Sequence, residues 1–264
     1  MALANLSFAD LTWKMVLIVF IGVFAGSFMD AIAGGGGLIT LPTYLLTGLP
    51  AHIALGTNKF SSCIGTSVSA GRYICQGYTD FRIAAPAAVL AVITAHFGTK
   101  LQLMVPDVYL RYVLLVVLPV AAFVVLKRHE LPEERLAMDR KKRIAIVCLS
   151  AAVIGLYDGF YGPGAGTFYL LCFCGLGKLD VRSANGMVKM VNVASNLGAL
   201  ITSVISHQVF FALGLLATAA SISGHYIGSG FAIKNGSKIV RPMVIVVLIL
   251  LAIKIISGFI TGNV

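Results

Sequence analysis

Charged side chains are scarce in this chain. Of its 264 residues only 11% are Asp, Glu, Lys or Arg, against roughly 25% in an ordinary soluble domain, and that shortage excludes a soluble enzyme. The ~10-residue segments of alternating polarity that build a transmembrane barrel are missing too. Residues 243–253, for example, are apolar on every face, which suits a helix in lipid or in a protein interior. Cysteine supplies no framework: Cys63, Cys75, Cys148, Cys172 and Cys174 all fall in apolar stretches without a C-x-x-C, so neither a disulfide scaffold nor a zinc site is expected. The glycine clusters are not followed by Gly-Lys-Ser/Thr and stand in no βαβ context, which leaves no P-loop or dinucleotide motif. No cofactor, no metal and no nucleic-acid partner is expected.

What is present is hydrophobicity, with 58% hydrophobic residues and a mean hydropathy of +0.94. Apolar segments follow one another at 13–33, 38–49, 53–75, 83–104, 108–126, 144–161, 167–176, 184–206, 209–233 and 239–260. Most approach the ~20 residues needed to cross a hydrocarbon core. The expectation is an all-α polytopic membrane protein with the lipid bilayer as its solvent. The net charge of +10 fits that reading, because seven of the twenty basic residues (Lys127, Arg128, Arg135, Arg140, Lys141, Lys142 and Arg143) share one polar stretch. Such clustering marks a cytoplasmic loop of an inner (plasma) membrane protein. Lys14, the apolar run after it and Ala31-Ile32-Ala33 imitate a cleavable secretory signal. Their counterparts recur in the second half of the chain, so they are expected to belong to the fold.

That recurrence organises the sequence. Asp30-Ala-Ile-Ala-Gly34-Gly-Gly36 matches Asp158-Gly-Phe-Tyr-Gly162-Pro-Gly164 at an offset of 128, and Lys59-x2-Ser62-x3-Thr66 matches Lys189-x2-Asn192-x3-Asn196 at an offset of 130. Two tandem repeats of about five helical segments each are expected, 1–126 and 144–264, joined by a basic linker at 127–143, a duplication typical of secondary transporters. If each half crosses five times, Arg72, Arg82, the linker seven, Lys178, Arg182, Lys234, Lys238 and Arg241 share one side, fourteen of the twenty basic residues. This charge bias favours inverted repeats.

Within the apolar segments a few polar residues stand out. A charge at the centre of a membrane helix costs ~2.5 to 3.5 kcal/mol even on lenient scales, and Lys59 and Lys189 carry that cost in duplicate. Steps of three and four residues put Lys59, Ser62 and Thr66 on one helix face, and Lys189, Asn192 and Asn196 on another. Two such stripes, with the adjoining Asn58, suit an oxyanion in a shared cavity. The competing reading has each lysine paired with Asp30 or Asp158, or snorkelling, as the isolated Lys254 is expected to do. The runs Gly34 to Gly37 and Gly162 to Gly166 should break their helices, since glycine costs about 1 kcal/mol relative to Ala in a helix interior. The N–H groups that follow, at Gly35, Gly36, Gly37, Gly164 and Gly166, can then cap an anion. Asp30 and Asp158, four residues before each break, either carry a coupling proton or hold the broken backbone, and structure is the preferred role. His96 and His225 read as hydrogen-bonded packing residues. Gly65-Thr-Ser67-Val-Ser69 falls one residue short of a nucleophile elbow, and pairing Ser67 with His96 or His225 would make an intramembrane hydrolase, the weakest alternative. An anion channel with a lysine ring is the other.

The residues Asp30-Ala-Ile-Ala-Gly-Gly-Gly-Gly37-Leu-Ile-Thr-Leu-Pro42, Gly56-Thr-Asn-Lys59 and Tyr157-Asp158-Gly-Phe-Tyr-Gly-Pro-Gly164-Ala-Gly-Thr-Phe-Tyr169 closely resemble the sulfite exporter TauE/SafE family, also called the 4-toluene sulfonate uptake permeases. The resemblance covers both halves over about 230 residues. It implies a plasma-membrane permease for a small sulfur-containing oxyanion such as sulfite, sulfoacetate or another organosulfonate. The expected protein is therefore a secondary transporter rather than an enzyme, working by alternating access with a proton or sodium ion as the coupling partner. Lys59 and Lys189 would neutralise the substrate, while Ser62, Thr66, Asn192 and Asn196 donate hydrogen bonds.

Overall fold

The computed structural model describes residues 11–106 and 132–243, together with 245, 246 and 249. The expected segment at 108–126, Lys127, Arg128 and Lys254 lie outside the described residues. Helices make up the described fold, and no strand occurs among the described residues. In order they are α1 (Trp13–Ala33), α2 (Gly37–Leu45), α3 (Ala51–Cys75), α4 (Phe81–Met104), α5 (Arg140–Phe160), α6 (Ala165–Gly175), α7 (Val181–Ile205) and α8 (Phe211–Asn235). Five of these, α1, α4, α5, α7 and α8, are long and apolar enough to cross a membrane. The helix α3 equals α7 in length at 25 residues, but Asn58, Lys59, Ser61, Ser62 and Thr66 make it more polar.

Several helices start a few residues before the apolar run that signals them, because polar caps rather than hydropathy decide where helices begin. The side chains of Asp80, Asp139 and Asp180 accept hydrogen bonds from the N–H groups of Arg82, Lys142 and Ser183 at 3.1, 3.1 and 2.9 Å. Arg140 to Arg143 form the first turn of α5, and Arg143 turns inward, its guanidinium donating to the carbonyls of Gly177 (2.9 Å) and Leu136 (2.8 Å).

Helices at corresponding places in the two halves of the chain have matched lengths. Helices α1 and α5 have 21 residues each, α3 and α7 have 25 each, and the short pieces α2 and α6 have 9 and 11. Each short piece reaches only about 14 to 17 Å at 1.5 Å per residue, half a bilayer core. α2 folds back along α1: a Cβ placed on Gly22 would strike Thr43, and one on Gly26 would strike Thr40. Contacts between halves also give the running directions. α3 and α7 run in opposite directions, since Tyr73 meets Asn185 (2.8 Å) near one end while Lys59 meets Asn196 (3.1 Å) further along. α8 runs parallel to both α1 and α3. Gly224 sits against Phe24 and Gly228 against Phe28, whereas Gly214 faces Phe60 and Gly230 faces Arg72. On the opposite flank α4 runs parallel to α5 and α7, with Thr94 beside Gly155 and Val92 beside Gly198. The two halves thus interlock rather than sit side by side. One apolar cluster gathers where α3 ends and α7 begins, around Tyr73, Ile83, Tyr169, Phe173 and Met187. A second gathers where α3 and α8 begin, around Tyr44, Ile53, Phe210 and Leu213. The polar stripe of α3 lies along the chain between them.

Candidate functional site: a polar cavity between the halves

The hairpins α1–α2 and α5–α6 meet at their glycine tips. Gly34 has a φ of 75°, and a Cβ there would lie 2.2 Å from the carbonyl carbon of Gly166, so only glycine allows both the turn and the contact. Gly164, with a φ of 86°, is the N-cap of α6. Because first-turn N–H groups lack partners inside their own helix, the tips present donors and the positive ends of two short helix dipoles to the same place. Asp30 braces the first tip: its Oδ1 accepts the Gly36 N–H at 3.1 Å.

Each intramembrane lysine reaches across to the carboxylate of the other half. Lys59 Nζ donates to Asp158 Oδ1 at 2.7 Å and to Asn196 Oδ1 at 3.1 Å, with both charged side chains 6% exposed. Lys189 Nζ donates to Asp30 Oδ2 at 3.1 Å and also to the Asp30 carbonyl. Asp158 Oδ2 accepts the Ser195 hydroxyl. The reading in which lysines pair with acids therefore describes this structure, and the exchange between halves pins the repeats to one another at their centre.

Pairing does not close the site. A cavity with about 460 Å³ of empty space, counting the space at its mouth, is lined by Asp30, Gly35, Gly36, Gly37, Asn58, Lys59, Ser62, Thr66, Asp158, Gly164, Gly166, Asn192 and Asn196, every expected site residue but one. The exception is Lys189. Its side chain is fully buried behind Asp30 and is absent from the lining, so it acts on the cavity through that carboxylate and not by direct contact. Two lysines against two aspartates leave no surplus positive charge.

Some lining residues escaped the sequence reading. Thr40 holds a buried side-chain oxygen without a hydrogen-bond partner among the described residues, as does the already expected Asn58. His225 also lines the cavity, its Nδ1 2.7 Å from Ser69 Oγ and its Nε2 3.4 Å from Thr66 Oγ1 and 3.9 Å from Asp30 Oδ2. A signal for it existed, because Ser221, His225 and Ser229 recur every four residues, one face of α8, and all three are buried. His96 instead bonds Thr202 at 2.7 Å. Ser67 donates to the Cys63 carbonyl at 2.8 Å, so neither histidine makes the dyad that a hydrolase would need. Among the described residues no group of His, Cys, Asp and Glu is arranged to hold a metal ion.

A multi-pass helical membrane protein whose two halves enclose a polar cavity is a membrane transporter by class. The chain belongs to the sulfite exporter TauE/SafE family, whose description matches residues 18–255. It is 31% identical over 251 residues to the probable membrane transporter protein ORF9 of Sinorhizobium sp, covering 94% of this chain and 95% of that one. It is 30% identical to the probable membrane transporter protein YfcA of Escherichia coli K12, over 91% and 88% of the two chains. A probable membrane transporter protein of Haemophilus influenzae is also 30% identical, over 94% and 96%. No solved structure matches the chain.

Proposed function

We propose that this protein is a plasma-membrane secondary transporter of a small sulfur-containing oxyanion, sulfite or an organosulfonate, working by alternating access between inverted repeats. The observation that carries the reading is the convergence, on one cavity, of the Lys59 ammonium, the amides of Asn192 and Asn196 and the N-terminal turns of two short helices from opposite halves. These donors suit a sulfonate or sulfite group, an acceptor only when ionised. Lys59 and the helix N-termini bind the anion, Ser62 and Asn192 orient it, and Lys189 holds Asp30 in place. The antiparallel course of α3 and α7, which occupy equivalent places in the two halves, supports an inverted pair. With that arrangement the basic linker faces the cytoplasm.

The test is a thermal-shift screen of the purified protein against sulfite, sulfate, thiosulfate, isethionate, sulfoacetate, taurine and matched carboxylates. Isethionate counterflow in proteoliposomes follows. Stabilisation by sulfur oxyanions with saturable counterflow is the expected result. No stabilisation by any anion overturns the proposal, and flux that neither saturates nor responds to substrate on the far side replaces the carrier by a channel.

A further inference from the structure

The duplicated scaffold carries unequal chemistry at its two carboxylates. At the offset of 130 that relates α3 to α7, the position matching His225 in α8 is Ala95 in α4, and Ala95 packs on Gly159 beside Asp158. Asp158 is saturated by Lys59 and Ser195. Asp30 has Lys189 and the Gly36 N–H, and in addition an imidazole at 3.9 Å. We infer that Asp30, His225 and Lys189 form the proton-loading site of the cavity, so that one proton enters His225 with each monovalent anion. This rests on the anion-transport reading above.

Charge balance is the physical reason. Lys59 and Lys189 are offset by Asp158 and Asp30, so a monovalent anion leaves the cavity one negative charge in excess, which a poorly solvated interior penalises heavily. One proton on the imidazole restores neutrality beside the ligand. The ring is built to accept it. Both nitrogens face hydroxyls, Ser69 on Nδ1 and Thr66 on Nε2, and a hydroxyl can rotate from donor to acceptor. Neutral and protonated forms are therefore both satisfied. The proton arrives from cavity water on a ring nitrogen, leaves both nitrogens as donors with Nε2–H facing Asp30, and returns to water when the anion departs. The charged groups around the ring are Asp30 from α1 and Lys189 from α7. From α3, Lys59 is held by Asp158 and Asn196, and Arg72 is turned onto Tyr226, 4.3 Å over its ring, and toward Ser229.

The experiment uses isethionate, whose sulfonate stays ionised across the accessible pH range, so any proton linkage belongs to the protein. Calorimetric binding to the full chain in buffers of differing ionisation heat counts the protons taken up. Uptake of about one proton, with affinity falling about tenfold per unit rise in pH, is expected where the empty site is deprotonated. His225→Gln keeps a side chain able to bond Ser69 and Thr66 but cannot titrate. It should bind more weakly than the wild type at low pH, with no proton uptake and a flat pH profile. A wild type that takes up no proton overturns the inference, and so does a His225→Gln variant that retains the wild-type pH slope. If His225→Gln does not fold, the proton count on the wild type decides alone. Failure of every sulfur oxyanion to bind at any pH is a different result, which removes the anion-transport reading and this inference with it.

Discussion

Removing Lys59 alone should damage the fold more than removing Lys59 and its partner together. At 2.7 Å and an effective dielectric near 20, the attraction between Lys59 and Asp158 is about 6 kcal/mol, most of which is spent desolvating two ions. Lys59→Met leaves the Asp158 carboxylate buried with only the Ser195 hydroxyl, a loss of about 3 to 5 kcal/mol for a broken buried pair. That corresponds to a fall in unfolding temperature on the order of 10 °C. Asp158→Asn strands the Lys59 ammonium at a similar cost. The double variant Lys59→Met/Asp158→Asn buries no unpaired charge and should recover most of the loss, while failing to bind isethionate because the ammonium is gone. Thermal unfolding of all four proteins in one detergent, with isethionate calorimetry on those that fold, supplies both readouts. Additive losses in the double variant would refute the pairing, since residues in contact must show an interaction energy.

Three further outcomes follow from the same geometry. Gly34→Ala should abolish accumulation of folded protein, because its Cβ would lie 2.2 Å from Gly166; Gly48→Ala, also at positive φ but with nothing within 4 Å, should cost only about 1 kcal/mol and keep transport. Thr40→Val removes a buried hydroxyl that has no partner among the described residues, so chemical or thermal denaturation should show stability unchanged or raised, while isethionate affinity falls about tenfold, the worth of roughly one hydrogen bond to a charged group. Ser67→Ala should leave counterflow intact, because its hydroxyl donates to the carbonyl of Cys63 one turn earlier; loss of activity there would revive a nucleophilic serine.

The amino-acid sequence by itself determined the solvent and the class. Long apolar runs admit only helices in lipid, and glycine clusters with duplicated lysines mark the same features twice in one chain. Recurrence in sequence also placed most of the cavity lining, since polar side chains at helical spacing in apolar segments have few places to go but a shared interior. Tertiary structure decided what no spacing carries. Which carboxylate meets which lysine depends on how the halves cross, and the crossing joins Lys59 to Asp158 and Lys189 to Asp30. It also buried Lys189 behind the lining and brought His225 from α8 against Asp30 on α1, 195 residues away in sequence. Periodicity shows which residues share a face of one helix. Only the packing of that face against another helix turns paired charges and a solitary histidine into a site.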